Sequence, residues 1–245
     1  MKRFIVIGIV LTTFSCGKIN REKLSDYLDS KPVSEEWLIA CAAGDLNGWQ
    51  EVGGGVTAVF FYPVEGATNK RYFETKNLKQ NKDDFSNYRE VKNIEYHDVF
   101  NGYLNNHIIK SKKEKWGIMT YEVNDSIRVS DPIKIQPVSR ETERRSILVT
   151  VEENGITPSF SWEDGEYKEN VIYFQVVSDK DGNLISGTYT LDREWTFYDT
   201  SNVVINIKPY PTPFIETGKL YDFTLMSVSE DNWVNVAEMR TFKTF

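Results

Sequence analysis

The residue types that most often bind metals are scarce in this sequence, which has two cysteines, Cys16 and Cys41, and two histidines, His97 and His107. A structural zinc site needs about four ligands, usually with two of them closely spaced along the chain. No such pairing is present, so neither a metal nor another cofactor is predicted, and both histidines are expected to be solvated in a loop. Cys41 lies in the apolar run 37–42 and is expected to be a buried, unreactive thiol, because free cysteine is among the most buried residue types. A reactive thiol is the alternative.

Adjacent carboxylates occur at Asp83-Asp84 and at Glu163-Asp164. A glycosidase places two carboxyl groups about 5 to 9.5 Å apart across the bond that it cleaves. Adjacency along the chain does not provide that geometry, and acidic surface turns account for both pairs. No catalytic residue is therefore predicted. The alternative is a glycan-processing enzyme or accessory subunit that uses carboxylates near residues 77–115.

The segment Asp179-Lys180-Asp181-Gly182-Asn183 is rich in the oxygen atoms that bind calcium. An EF-hand loop requires glycine at its sixth position, whereas this glycine is the fourth residue. Alternating apolar residues flank the segment on both sides, and Asp-Gly favours a hairpin turn because glycine accepts a positive φ. A hairpin turn is therefore predicted in preference to an ion site.

Residues 77–115 form a long insertion in which aromatic side chains alternate with asparagine and aspartate. Aromatic rings stack on the apolar faces of sugars and peptides, while amides hydrogen-bond to hydroxyl groups. The candidate ligand-binding residues are Tyr88, Tyr96, His97 and Tyr103. The alternative is that these rings pack into the core, since large aromatic residues dominate core energetics.

The N-terminus has the composition of an export signal. Lys2 and Arg3 give it a positive start, Phe4–Leu11 is apolar, and Ser15 is a small residue suited to a cleavage site. A bilayer-spanning helix needs about 20 apolar residues. Residues 1–15 are therefore predicted to be a signal peptide that is removed.

The residues around the predicted cut resemble the lipobox of bacterial lipoproteins, because Ser15 directly precedes Cys16 and Gly17-Lys18 follows it. The resemblance implies that the Cys16 sulfur carries a diacylglyceryl group, and that acyl chains on the mature N-terminus hold the protein at the cell envelope, in the outer membrane. Two or more acyl chains give stable attachment, at about 0.8 kcal/mol per buried CH₂. Thr13 stands where the family usually has leucine, so an ordinary secretory cut after Ser15 is the alternative. The face of the membrane is left open.

The charge balance argues against nucleic acid as a partner. The full chain has 29 basic and 36 acidic residues, and loss of Lys2 and Arg3 leaves 27 − 36 = −9. Binding to phosphate backbones requires a basic surface.

Beyond residue 33 the sequence alternates short apolar runs with turn signals, at the spacing of an all-β sandwich. The content of apolar residues, 40%, and of aromatic residues, 13%, is sufficient for well-packed cores. In the first half the runs are Trp37–Ala43, Val56–Tyr62, Arg71–Thr75, Trp116–Val123 and Ile127–Ile135, the last two joined by an Asn124-Asp125 turn. In the second half they lie around 147–151, 160–162, 171–177, 203–207, 221–225 and 239–245.

The second half resembles a fibronectin type III domain over residues 147–245. In Ile215-Glu216-Thr217-Gly218-Lys219-Leu220-Tyr221, Ile215 stands for the leucine of the family's corner, Gly218 matches its glycine and Tyr221 takes the tyrosine-corner position. The resemblance implies that the Tyr221 ring packs inward while its hydroxyl bonds to upstream backbone. Trp162 resembles the tryptophan of the family's second strand.

These features predict an all-β chain with two tandem immunoglobulin-like, fibronectin type III-like sandwiches. Residues 16–33 are expected to form a tether, 34–136 the first sandwich with its insertion, 137–146 a linker and 147–245 the second sandwich. The expected function is that of a non-enzymatic, lipid-anchored envelope protein that serves as a binding or structural module for protein or glycan.

Overall fold

The computed structural model describes residues 21–44, 57–150 and 155–245. These ranges consist mainly of β-strands, so the predicted all-β fold with two tandem sandwiches is confirmed. The predicted signal peptide, residues 1–15, and Cys16 lie outside the described residues. Within those ranges no helix has the length and apolarity needed to cross a bilayer.

Among the described residues, the first domain contains one α-helix, a 3-10 turn at Phe85–Asn87 and nine strands. The α-helix and the strands are labelled in chain order. They are α1 (Leu24–Leu28), β1 (Ala40–Gly44), β2 (Thr57–Phe61), β3 (Thr68–Glu74), β4 (Arg89–Glu90), β5 (His97–Val99), β6 (Leu104–Ile109), β7 (Lys115–Val123), β8 (Ser126–Val129) and β9 (Ile133–Ile135). Sheet I has the order β4-β3-β7-β8, with β9 also paired to β7, and sheet II has the order β1-β2-β6-β5. In immunoglobulin nomenclature sheet II is A-B-E-D and sheet I is C′-C-F-G.

The described part of the second domain contains eight strands. They are β10 (Leu148–Thr150), β11 (Ser159–Ser161), β12 (Asn170–Asp179), β13 (Leu184–Thr190), β14 (Glu194–Thr196), β15 (Val203–Asn206), β16 (Leu220–Ser229) and β17 (Val234–Lys243). Sheet III has the order β15-β13-β12-β16-β17, and sheet IV has the order β10-β11-β14. Sheet IV is therefore A-B-E and sheet III contains C′-C-F-G.

Both predicted hairpin turns are confirmed. Asn124 and Asp125 have φ values of 50° and 59° in the turn between β7 and β8. Gly182 has a φ of 81° in the turn between β12 and β13, where the Asp179 carboxylate accepts hydrogen bonds from the Asp181 and Asn183 backbone N–H groups at 3.0 and 2.9 Å. Successive positive φ values suit the right-handed twist of the strands that a two-residue turn joins.

The segment predicted as an insertion, residues 77–115, contributes strands to both sheets of the first sandwich. It contains β4, β5 and β6, and β6 pairs with β2 over five residues in the centre of sheet II. The sequence pattern of β6, Leu-Asn-Asn-His-Ile-Ile, hides this role because Asn105, Asn106 and His107 are polar yet 2–3% exposed.

The prediction that residues 16–33 form a tether is wrong from Glu22 onward. Helix α1 packs on the outer face of sheet I, where Leu24 and Tyr27 are 0% and 2% exposed. Val33 continues the contact through a parallel bridge to Ile127. Burial of these apolar side chains, at about 25 cal/mol per Å² of apolar area removed from water, holds the segment against the sheet.

The two sandwiches pack face to face, and this arrangement produces a stack of four sheets in the order I, II, III and IV. The outer face of sheet II, with Phe60 and Leu104, meets the outer face of sheet III, with Phe174 and Met226, in one apolar cluster. Every residue of β2 is consequently buried, because alternate side chains enter the first sandwich and the interdomain cluster.

The interface is closed further by the turn between β16 and β17. Trp233 in this turn is fully buried within the core of the first domain, and the Ala42 N–H donates to the Asn232 carbonyl at 3.0 Å. Residues 137–146 lie between the two domains and are bound to β17. The Glu143 N–H donates to Asn235 O at 2.7 Å, and the Ala237 N–H donates to Glu143 O at 2.9 Å.

Candidate functional site

The four aromatic and histidine residues proposed from sequence do not form one surface. Tyr88 is 0% exposed, packs with Leu24 outside sheet I, and donates its hydroxyl to Lys82 O at 2.7 Å. Tyr96 is half-buried against the core between sheets I and II. His97 is exposed in β5, and Tyr103 packs against the interdomain cluster. Tyr88, Tyr96 and Tyr103 therefore pack against other side chains, and only His97 of the four is exposed.

His107, which was expected in a solvated loop, is 2% exposed. Its ring centroid lies 4.5 Å from that of Tyr72 and 5.8 Å from that of Tyr96. Neither ring nitrogen has a hydrogen-bond partner among the described residues. Burial lowers the pKa of His107 to about 3, so the imidazole is neutral near pH 7.

Cys41 is half-buried rather than fully enclosed, and its side chain packs beside the interdomain cluster. Its apolar surroundings raise the pKa of the thiol to about 12. The thiol therefore stays protonated near neutral pH, and a protonated thiol is a poor nucleophile.

The carboxylates considered for acid–base chemistry serve local structure. Asp84 accepts a hydrogen bond from the Ser86 N–H at 3.0 Å, and its hydrogen bonds to Ser86 lower the pKa of Asp84. Asp164 is 9% exposed and accepts hydrogen bonds from the Tyr173 hydroxyl at 2.8 Å and from the Arg193 guanidinium at 2.8 Å. Its partner in sequence, Glu163, is exposed.

A cleft of about 620 Å³ lies at one end of the second sandwich, and we call it the corner cleft. It is bounded by the β12–β13 turn on one side and by the loop between β15 and β16 on the other. Its lining residues are Asp179, Lys180, Asp181, Ile185, Lys208, Pro211, Thr212, Pro213, Phe214, Glu216, Gly218, Lys219, Leu220 and Tyr221.

Tyr221 fixes the floor of the corner cleft. Its ring is 5% exposed and packs 5.8 Å from the ring of Phe242, while its hydroxyl accepts a hydrogen bond from the Glu216 N–H at 2.9 Å. This is the contact that the tyrosine-corner resemblance implies. Trp162, the other residue singled out by that resemblance, is 5% exposed and packs near Tyr173 and Phe223 in the same core.

Buried Thr244 ties the two ends of the corner together. Its hydroxyl accepts a hydrogen bond from the Lys219 N–H at 3.1 Å and donates to Glu216 O at 2.5 Å. The Gly218 N–H donates to Thr244 O at 3.2 Å, and Gly218 has a φ of 76°, a conformation that glycine adopts without strain. The corner is therefore held by backbone as well as by side-chain bonds.

The wall opposite the β12–β13 turn is the segment 209–214, Pro-Tyr-Pro-Thr-Pro-Phe, which we call the proline loop. Its side chains Tyr210 and Phe214 are 84% and 73% exposed. The flanking residues are anchored, because Ile215 is 2% exposed in the core and the Lys208 ammonium donates to Leu184 O. Three prolines fix φ at alternate positions, so the loop presents its two rings with little conformational freedom.

The first domain braces both walls of the cleft. The Lys208 ammonium lies 5.1 Å from the centroid of the Tyr103 ring, and Asn101 donates a side-chain hydrogen bond to Asn183 in the β12–β13 turn. Tyr103 thus contributes to this site as a support for the proline loop, a role that its place in the sequence did not indicate.

The formal charges that line the corner cleft cancel. Three lysines and three carboxylates are present, namely Lys180, Lys208, Lys219, Asp179, Asp181 and Glu216. Lys180 is bound to Asp222 at 2.7 Å. Partial burial opposes ionisation of Asp179, but hydrogen bonds from Asn183 and Asp181 outweigh it and lower the pKa of Asp179.

The proline loop was not predicted, although a signal for it is visible in the sequence. Lys208-Pro209-Tyr210-Pro211-Thr212-Pro213-Phe214 contains three of the eight prolines of the chain together with two aromatic residues. Prolines at alternate positions are incompatible with a helix or with a central strand. The aromatic residues between and after them therefore belong to a loop, and not to an element that packs into the core.

Of three comparisons with known proteins, the one with solved structures gives matches. No family model matches the chain, and no curated protein matches it. Among solved structures, the FN1–FN3 domains of chicken CNTN1 align over 87% of this chain and 68% of that chain, with 11% identity and a TM-score of 0.31. The chicken interferon gamma receptor alpha chain aligns over 87% of this chain and 98% of its own, with 10% identity and a TM-score of 0.30. A cytokine receptor complex gives 8% identity and a TM-score of 0.29, over 76% of this chain and 90% of that chain.

Proposed function

We propose that this chain is a non-enzymatic, lipid-anchored cell-envelope protein whose second sandwich binds a protein or glycan partner at the corner cleft. The observation that supports a binding role is the exposure of Tyr210 and Phe214, at 84% and 73%, on the proline loop beside the cleft. Aromatic side chains dominate the energetics of recognition surfaces. A rigid loop that holds them in place reduces the entropy lost on binding.

Asp84, which lies in the segment considered for hydrolysis, is poorly suited to act as a general acid. Hydrogen bonds to Ser86 and Ser201 lower the pKa of Asp84 and Asp199, and a hydrogen bond from the Lys31 ammonium lowers that of Glu122 to about 2. A general acid that operates near neutral pH needs a raised pKa. Carboxyl groups held as anions by local hydrogen bonds are suited to structural roles.

Attachment through Cys16 would place the folded stack close to the membrane. The docked N-terminal segment begins at Glu22, only a few residues after Cys16, so little free chain would separate the acyl groups from sheet I. An acidic surface gains nothing from anionic lipid headgroups, so attachment would depend on the acyl chains.

Two measurements test this proposal. Cys16→Ala should move the protein from the membrane to the soluble fraction, and the native N-terminus should carry acyl groups by mass spectrometry. Separately, the mature chain with Cys16→Ser should bind members of a glycan or peptide array, and the double variant Tyr210→Ser/Phe214→Ser should lose that binding. An unmodified N-terminus would refute the anchor, and an array without any specific binding would refute the binding role.

A further inference from the structure

We propose that the ligand of the corner cleft is a short, neutral oligosaccharide. This inference rests on the binding role proposed above and names the chemical class of the partner. Four features support it: the shape of the cleft, the exposed ring of Phe214, the exposed polar groups of the lining and the balance of charge.

The shape favours a small ligand. The cleft volume of about 620 Å³ lies within the range of about 300–1,000 Å³ that is typical of small-molecule sites. A specific protein partner usually covers about 800 Å² of surface on each side, over a broad patch. A concave site between one turn and one loop fits a few linked sugar rings better than a broad protein surface.

The cleft offers a ring face for stacking. Phe214 lines the cleft and is 73% exposed, and Pro213 precedes it directly, which restricts the backbone that carries the ring. The C–H faces of pyranose rings are flat and apolar, so they stack on such aromatic faces. Tyr210, on the same loop, supplies a second exposed ring for a neighbouring sugar unit.

Polar groups able to bond sugar hydroxyls are exposed in the lining. The side chains of Asp181 and Thr212 are exposed. Glu216 and Lys219 form an ion pair at 4.0 Å, and both side chains are still more than half exposed. Carboxylate and hydroxyl oxygens accept hydrogen bonds from sugar hydroxyls, and the Lys219 ammonium can donate to them. An acyl chain in the same place would desolvate these groups without pairing them, which is unfavourable.

The charge balance disfavours an anionic ligand. The three cationic and three anionic side chains of the lining sum to zero, and one of the cations, Lys180, is paired with Asp222 outside the lining. The whole chain carries −7, or 27 − 36 = −9 without Lys2 and Arg3. A uronate or a sulfated glycan would meet net repulsion from the protein at longer range. A neutral oligosaccharide would not.

The test uses the mature chain with Cys16→Ser, and isothermal titration against neutral gluco-, manno-, galacto-, xylo- and N-acetylglucosamine oligomers of two to six units. A uronate oligomer series and a peptide array form parallel arms. We expect binding to at least one neutral series. Phe214→Ala should weaken the affinity by about ten-fold or more, while Phe214→Tyr should retain it. Trp37→Ala, which removes another exposed aromatic side chain outside the cleft, 83% exposed, is the matched control and should leave affinity unchanged.

The neutral-oligosaccharide, uronate and peptide arms of this test distinguish failure of the oligosaccharide inference from failure of the binding role. Phe214-dependent binding of peptides alone would overturn the oligosaccharide inference while supporting the binding role, and preference for the uronate series would overturn the neutral assignment. No binding in any arm, with unchanged melting temperatures for every variant, would overturn both.

Discussion

The indole ring of Trp233, in the second domain, lies over Gly44 at the end of β1 in the first domain. Its ring carbons are 3.3 and 3.4 Å from the position that a Cβ of Gly44 would occupy. The Gly44 N–H donates to the Thr142 hydroxyl at 2.8 Å, and that hydroxyl donates to Val234 O at 2.8 Å. Gly44 of the first domain and Thr142 of the connecting segment therefore meet Trp233 and Val234 of the second domain.

Removal of Trp233 should destabilise the chain as a whole. Trp233→Ala leaves a cavity in the core of the first domain, and such truncations cost about 3–5 kcal/mol. Chemical denaturation should show a lower midpoint with a single transition, because both domains share the buried cluster. Trp37→Ala, at an exposed position, should shift stability by less than about 0.5 kcal/mol. A second transition at an unchanged midpoint would show that the domains fold independently.

The stability of the chain should fall between pH 7 and pH 5 because of His107. Its pKa is about 3 in the folded state and 6.5 in the reference state, so below pH 6.5 the unfolded chain takes up a proton that the folded chain does not. The free energy of unfolding is fully maintained above pH 6.5 and decreases as the pH falls, by at most about 1.4 kcal/mol per pH unit. Denaturant melts of His107→Gln should have a flatter pH profile over this interval. His97→Gln, at an exposed site, should keep the original slope, and an equal slope in all three proteins would contradict the assignment.

The hydroxyl of Tyr221 should contribute measurably to stability. Tyr221→Phe leaves the ring in place and removes the acceptor of the Glu216 N–H, which should lower the free energy of unfolding by about 0.5–1.5 kcal/mol. Tyr210→Phe, at an exposed position, is the matched control and should have no effect. The corner assignment fails if the two variants unfold at the same denaturant concentration.

The docked N-terminal segment should resist proteolysis. Lys31 is bound to Glu122 at 2.5 Å, the Tyr27 hydroxyl donates to the same carboxylate at 2.9 Å, and Arg71 lies over the Tyr27 ring at 4.1 Å. Trypsin should therefore cut after Lys23 slowly in the native chain, whereas Lys31 precedes Pro32 and is not a trypsin site. Leu24→Ala should cost about 2–5 kcal/mol of local docking energy at a fully buried site and accelerate the cut after Lys23. Rapid cutting of the unaltered chain would instead indicate a free tether.

Local sequence patterns predicted the strands that alternate cleanly and the turns that join them. The Asn124-Asp125 and Asp179–Asn183 turns follow from residue chemistry that acts over a few positions. The predicted hairpin turn implied a strand after residue 183, but β13 is absent from the predicted apolar runs because Ser186, Thr188 and Thr190 are buried in it. Gln175 of β12 compensates for this polarity, since it accepts a hydrogen bond from Thr188 at 3.2 Å and donates one to Thr190 at 2.7 Å.

The features that depend on contact between distant segments could not be predicted in this way. Nothing local to Leu24 or Tyr27 indicates that sheet I covers them, and nothing local to Trp233 indicates the core that it enters. The corner cleft depends in addition on Asn101 and Tyr103 of the other domain. These relationships are set by the packing of whole sheets against one another. The hydrophobic periodicity of a strand (two residues) or of a helix (3.6 residues) predicts the element itself but not its packing partner.

The burial of Trp233 across the domain boundary has a mechanical consequence. With helix α1 fixed to sheet I and the two sandwiches joined through a shared core, bending between them would expose apolar surface and break several hydrogen bonds at once. We therefore expect the described parts of the two domains to move together, which would keep the opening of the corner cleft in a constant direction relative to the docked N-terminal segment. A ligand bound there would transmit force to that segment directly, without first straightening a hinge.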